Sequence, residues 1–365
     1  MKKLTLIFAV LFAMSIAVGC QEEPEPTPEV PEVTPDEPED EPEVDEPKEP
    51  DGDALVAYNA TDEALALYEY LQETAGDYII SGSMANVSWN ISEAQWVEQH
   101  IGSYPAMAGF DYINLYGDWM DYTDISVQKD WWDNNGLITI CWHWKVPITG
   151  GSSSYAFYTD ETLFDISNVT NESSWEYRVL EADLETVADR LLVLKDAGIP
   201  VIWRPLHEAS GGWFWWGAKG AEPFKALWKM MFEVFEEKEV NNVIWCWTTE
   251  VTDDDWYPGD EYVDIIGRDK YNVWASSLAD NYETLTEKYP GKLLTLSEFG
   301  SINNDVLILD QQWSWFMPWY DYSRTLNPGS ETFESRDHTY ATADFWDSAR
   351  ANERVLFRED MPNLK

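Results

Sequence analysis

Short apolar or β-branched runs alternate with amphipathic segments through this chain, and that alternation restricts its fold more than any other feature. The runs lie at 78–81, 105–110, 137–142, 200–204, 243–247, 264–266, 293–296 and within 313–320. Amphipathic segments fall at 62–74, 92–100, 176–197, 223–238, 279–289 and 340–355. A strand that is apolar at nearly every position must be buried on both faces, which a parallel sheet covered by helices provides. Eight such units close on themselves, so the expected fold is an α/β protein, a (β/α)8 TIM barrel in a single domain. An open doubly wound sheet is the alternative, but no glycine-rich phosphate fingerprint follows the first run. No break in composition interrupts residues 53–365, a stretch of about 310 residues that suits one large domain.

In a barrel of this kind, functional groups gather at the C-terminal ends of the strands. Two glutamates end apolar runs in this way, in Val201-Ile-Trp-Arg-Pro-Leu-His-Glu208 and in Leu293-Leu-Thr-Leu-Ser-Glu298-Phe-Gly. Counting runs puts Glu208 after the fourth strand and Glu298 after the seventh, across the mouth from one another. Most glutamates are surface residues on loops; these two follow buried strands in tryptophan-rich surroundings. Cleavage of a glycosidic bond needs one carboxyl to protonate the leaving oxygen and a second to attack the oxocarbenium-like centre. With 21 Trp and 19 Tyr the chain has aromatic rings to spare beyond its core, and indole faces suit stacking on pyranose rings.

Charge narrows the partners. The formal net charge is -45, with a sequence pI near 4.1 and only 23 Lys and Arg. A field of that sign repels polyphosphate backbones, which excludes nucleic acid, and it disfavours acidic polysaccharides as substrates.

The N-terminus carries its own signals. Met1-Lys-Lys followed by an apolar run and Gly19-Cys20 reads as a signal peptide over residues 1–19, too short for a mature membrane span. Ile16-Ala-Val-Gly19-Cys20 resembles a bacterial lipobox, in which cleavage before the cysteine leaves Cys20 as a lipid-carrying N-terminus. Residues 21–50 hold nine Pro and fourteen acidic residues, so they cannot bury a core. The segment 20–52 is expected to be a lipidated cysteine followed by an extended, disordered spacer, with the catalytic domain at 53–365. That lipid is the expected sole membrane attachment. The expected location is the outer membrane of a bacterium, facing the cell surface or the periplasm. Cys141 and Cys246 lie inside apolar runs as small hydrophobes, and their spacing supports neither a disulfide nor a zinc site.

The segment Trp203-Arg-Pro-Leu-His-Glu-Ala-Ser-Gly-Gly-Trp-Phe-Trp-Trp-Gly217 resembles the acid/base signature of glycoside hydrolase family 26, which includes many bacterial β-mannanases. Leu296-Ser-Glu-Phe-Gly300 is similar to that family's nucleophile segment. The resemblance runs from about Ile79 to the C-terminus. It implies a barrel with carboxylates on strands four and seven, retention of configuration, no cofactor and no metal. By the same resemblance Glu208 matches the general acid/base and Glu298 the nucleophile. His207 matches the histidine beside the acid, and Trp213 the tryptophan bordering the cleavage point. His143, in Cys141-Trp-His-Trp-Lys-Val-Pro147, matches a sugar-contacting histidine. Tyr271, in Arg268-Asp-Lys-Tyr271, matches the tyrosine that holds the nucleophile, and Trp315 and Trp319 are both candidates for a sugar platform. Lys270 and Ala209-Ser-Gly-Gly212 depart from the family pattern beside the site. Arg204 is expected to orient carboxylates rather than touch substrate.

The implied activity is a monomeric endo-β-1,4-mannanase acting on mannan, galactomannan and manno-oligosaccharides. Exo-mannobiohydrolase, β-1,3-xylanase and mixed-linkage glucanase activities occur in the same family. A degenerate, non-catalytic glycan-binding lipoprotein is the reading from another class. Double displacement further requires the carboxyls about 5 to 5.5 Å apart, with Glu208 desolvated against indole rings and Glu298 held by hydrogen bonds.

Overall fold

A computed structural model describes residues 55–116 and 120–365. The signal segment, Cys20 and the acidic spacer lie outside the described residues. Within them, eight parallel strands close into a barrel: β1 (Ile79–Met84), β2 (Met107–Asp111), β3 (Leu137–Cys141), β4 (Val201–Arg204), β5 (Val243–Thr248), β6 (Ile265–Tyr271), β7 (Leu293–Gly300) and β8 (Trp315–Pro318). Closure comes from β8 pairing with β1, Ile80 opposite Trp315 and Ser81 opposite Phe316. Every residue of these strands is buried except the last two of β6. A short segment, Val355–Leu356, pairs with the start of β1 and ties the C-terminal end of the chain to the strand ends opposite the site.

Helices α1 (Asp62–Thr74), α2 (Ser92–Ile101), α3 (Ser126–Asp133), α4 (Trp175–Asp196), α5 (Ala221–Glu237), α6 (Ala275–Lys288), α7 (Tyr322–Thr325) and α8 (Ala343–Ala351) accompany the strands. Helix α5 illustrates the local logic. Phe224, Leu227, Trp228, Met231, Phe232 and Phe235 recur at helical spacing and are buried as one stripe. Three of those rings, Trp228, Phe232 and Phe235, lie 5.2 to 5.5 Å from Trp245 of β5. Helix α4 starts where Ser174 caps it, its hydroxyl accepting from the Tyr177 N–H.

Inside the barrel, glycine makes room for methionine. A Cβ on Gly109 would come within 2.7 Å of the sulfurs of both Met84 and Met317, and one on Gly82 within 2.9 Å of Met317. Outside it, Phe316 packs against Phe345 and Trp346 of α8, with ring centroids 5.5 and 5.8 Å away.

The strand-helix alternation is as expected, with four local differences. Strand β6 runs on to Tyr271 and β7 to Gly300, well past their apolar starts, so Glu298 lies within its strand rather than beyond it. Polar residues extend both strands because their side chains find partners: Asp269, Tyr271 and Glu298 at the barrel mouth, Arg268 and Lys270 with Glu250 on the other face of β6. Helix α3 was not anticipated: it has eight residues, no side-chain cap and adjacent rather than periodic apolar residues in Trp131 and Trp132. A single helical turn, α7, follows β8 where the sequence shows no amphipathic segment; between β5 and β6, where none was expected either, the chain makes only single turns at Asp254–Trp256 and Asp260–Tyr262. The last segment is helical only over Ala343–Ala351, not 340–355.

Phe316 is fully buried between strand and helix. Phe316→Ala should destabilise the domain by about 3–5 kcal/mol through lost burial and the cavity left behind. Chemical denaturation should show a lower midpoint with an unchanged slope.

Candidate active site

At the C-terminal rim the fourth strand ends at Arg204, Pro205 stops the ladder, and the chain turns sharply. Leu206 and Glu208 take left-handed backbone angles, φ 50° and 54°, which side-chain-bearing residues seldom adopt. Three contacts hold the turn against that strain. The Glu208 N–H donates to Thr248 Oγ1 of β5 at 2.9 Å, and Trp216 Nε1 donates to the His207 carbonyl at 2.9 Å. Gly217 sits so close to the Ala209 carbonyl that a Cβ there would be 1.8 Å from its oxygen. The glycine after the tryptophan pair is therefore a packing requirement.

The Glu208 carboxyl accepts from Trp213 Nε1 at 3.0 Å. Trp213 itself is 42% exposed, so its ring borders open space and not the core. Burial, then the negative charges of Glu298 and Asp269, push the Glu208 carboxyl up to about 9, while Arg204 and the Trp213 hydrogen bond oppose that rise.

Glu298 is held in the opposite way. Its Oε1 accepts from the Tyr271 hydroxyl at 2.5 Å and its Oε2 from Arg204 Nη2 at 2.7 Å. The other guanidinium nitrogen, Nη1, donates to Asp269 Oδ2 at 2.7 Å, and Asp269 Oδ1 accepts from Ser297 at 2.7 Å. Asp269 and Glu298 face each other across the β6–β7 ladder, so one arginine fork bridges carboxylates on neighbouring strands. Burial and the Glu298 charge raise the Tyr271 phenol well above its usual range, which keeps it a donor. Lys270 alternates to the other face of β6 and comes within 3.6 Å of Glu250.

His143 and His207 meet at this rim, Nε2 to Nε2 at 3.2 Å. Asp111, the last residue of β2, takes the His143 backbone N–H at 2.9 Å and its Nδ1 at 2.6 Å. Burial, followed by the nearby His143 and Arg204, holds His207 well below its ordinary value and hence neutral. Trp319, just past β8 and half-buried, lies 5.7 Å from the His143 ring.

The structure separates the two late tryptophans. Trp319 stands at the mouth, whereas Trp315 is 1% exposed and presents no face to solvent. The sequence expectation of a platform at Trp315 is corrected: it lies within the strand that closes the barrel and is sealed in the core. His143, expected to touch sugar, has both ring nitrogens engaged by protein groups. Asp111, Asp269 and Thr248 were missed by sequence reasoning. Asp111 ends an apolar run, Met107-Ala-Gly-Phe-Asp111, which is the signal that singled out Glu208 and Glu298.

Cys141 and Cys246 are both free and buried. Cys141, Asp111 and His143 bring ligand-type atoms within 4.8 Å of one another, a clustering their sequence spacing does not reveal. Asp111 and His143 already satisfy each other there, and Cys141 pairs in the sheet with Arg204, whose charge opposes a cation.

Two carboxyls at one rim of the barrel, one keeping its proton and the other held by an arginine and a tyrosine, supply the pair that glycosidic cleavage requires. This chain belongs to glycosyl hydrolase family 26, whose family model matches residues 56–337. A mannan endo-1,4-beta-mannosidase of Thermothelomyces thermophilus is 32% identical over 279 residues, 71% of this chain and 55% of that protein. The GH26 domain of an endo-beta-mannanase/endo-beta-glucanase from Prevotella bryantii superposes with a TM-score of 0.76 at 33% identity, covering 85% of this chain and 99% of that domain. A beta-mannanase from a symbiotic protist of the termite Reticulitermes speratus, solved with a gluco-manno-oligosaccharide, gives 0.73 at 33% identity, covering 85% and 98%. The chain spans about half the length of the first curated relatives it matches.

Because the folded state raises the Glu208 carboxyl from 4.5 to about 9, that group favours folding fully below pH 4.5 and loses the benefit as pH rises toward 9. The amide of Glu208→Gln stays uncharged at every pH and so escapes that loss. The variant should therefore melt above the wild type, by a margin that widens from pH 5 to pH 9. Parallel melting curves across that range would refute the assignment.

Proposed function

We propose that this protein is a retaining endo-β-1,4-mannanase, cutting mannan or galactomannan by double displacement with Glu208 as general acid/base and Glu298 as nucleophile. The opposed environments of the two glutamates carry the reading. One keeps its proton and the other has donors on both oxygens that match negative charge. The proton on Glu208 goes to the glycosidic oxygen as Glu298 attacks the anomeric carbon. Glu208 then takes a proton from the water that releases the sugar. Trp213 and Trp319 would stack on sugar rings either side of the scissile bond, and Tyr271 would steady Glu298 until it forms the ester.

Relatives named mannan endo-1,4-beta-mannosidase support a mannan substrate, and the gluco-manno-oligosaccharide in one structural neighbour is consistent with it. A neutral polysaccharide also suits a protein of net charge -45. Product analysis on mannan, β-1,3-xylan and lichenan tests the substrate: release of mixed manno-oligosaccharides from mannan alone is expected, and mannobiose as sole product would indicate exo action. On a substrate with an activated leaving group, Glu208→Ala should retain a burst of product and Glu298→Ala should not, because only the second loses the covalent step. Equal loss in both would overturn the roles.

We also propose attachment to the outer membrane through Cys20, with residues 21–50 as a spacer. The lipobox-like segment and the acidic, proline-rich composition support this. Cys20→Ala should move the protein from the membrane to the soluble fraction with unchanged turnover of short manno-oligosaccharides.

A further inference from the structure

We propose that Asp111 is a positioning residue for Glu208, acting through a hydrogen-bonded chain, Asp111–His143–His207, that spans from β2 to the turn after β4. This rests on Glu208 being the general acid of the proposed function.

The geometry of the chain fixes its proton order. The Nδ1 of His207 is buried and has no hydrogen-bond partner. A stranded N–H donor is costlier and rarer than a stranded acceptor, so the single proton of neutral His207 belongs on Nε2. That proton is donated to His143 Nε2 across 3.2 Å, which makes His143 Nε2 an acceptor and places its own proton on Nδ1. There it meets Asp111 Oδ2 at 2.6 Å, while Asp111 Oδ1 takes the backbone N–H of the same histidine at 2.9 Å. Asp111 thus clamps His143 at two points, and every later bond in the chain follows from that orientation.

The far end of the chain is where the backbone is least comfortable. His207 sits between Leu206 and Glu208, both in the left-handed region. Such conformations persist only where surrounding contacts over-determine them. The Trp216 and Thr248 bonds hold the main chain of this turn, and the imidazole chain holds the His207 side chain. Loosening His207 would let the turn relax and carry the Glu208 carboxyl off the line to the glycosidic oxygen. Misplacement by about 1 Å costs around a hundredfold where positioning matters. Asp111 is only 4% exposed, so it acts from within the barrel wall.

The test exploits the fact that only proton donation depends on the leaving group. Wild-type turnover of manno-oligosaccharides is established first, so that failure of the functional reading is seen separately. In Asp111→Asn the amide donor faces His143 Nδ1 and should drive its proton to Nε2, breaking the bond to His207. Expected is a loss of tenfold or more in kcat/KM on manno-oligosaccharides, but under about threefold on a dinitrophenyl β-mannoside, whose departure needs little acid help. Nitrogen-15 spectra of the ring nitrogens should show the tautomer change at His143. His143→Gln, which breaks the same chain from its middle, should give the same leaving-group dependence and decides the matter if Asp111→Asn does not fold. Equal losses on both substrates, no loss on either, or an unchanged His143 tautomer would overturn the proposal.

Discussion

The fork of Arg204 is the interaction on which the mouth of the barrel depends. It places a guanidinium, with its side chain 4% exposed, between Asp269 and Glu298 and so ties β4 to β6 and β7 through charge rather than through the ladder. Buried ion pairs are poor sources of net stability, because desolvation consumes most of the Coulombic gain. Their value here is geometric. By giving one nitrogen to each, the guanidinium bridges two carboxylates and fixes them in register, and Ser297 and Tyr271 donate to their other oxygens.

That arrangement leaves Glu208 the odd carboxyl out. Glu298 and Asp269 have taken the local positive charge, and Glu208 faces their negative charge with only an indole N–H as partner. One shared cation, assigned to one side of the cleft, separates the two glutamates chemically. The histidine pair contributes by staying neutral at the His207 end: an imidazolium beside Glu208 would draw its proton away.

Strain and packing are concentrated on the same few residues. The turn carrying Glu208 is left-handed at two positions, while the strands beneath it are buried at all but the last two residues of β6, with methionine filling the space that Gly82 and Gly109 vacate. A rigid, close-packed barrel can hold such a turn, where a loop on a looser scaffold would relax it. The surrounding indoles serve both purposes. Trp215 and Trp216 are fully buried and donate to the Trp144 and His207 carbonyls, whereas Trp213, two residues earlier, is exposed.

The alternation of apolar runs determined the barrel, because burial on both faces leaves a parallel strand few other environments, and the length of motif around Glu208 determined the family. Helix α3 was illegible because it lacks a side-chain cap and its buried tryptophans are adjacent, and the full reach of β6 and β7 because polar residues extend a strand only where tertiary partners satisfy them. Glu208 and Glu298 stood out because carboxylates are out of place after apolar strands. Asp111 carries the same mark, but its partner lies 32 residues away, just past the end of β3. Trp315 and Trp319 looked equivalent in sequence, and only strand closure decided that one is core and the other borders the cleft. Composition and periodicity report whether a residue must be buried. Which buried groups meet, and so which carboxyl keeps its proton, is a matter of distances that only the closed barrel sets.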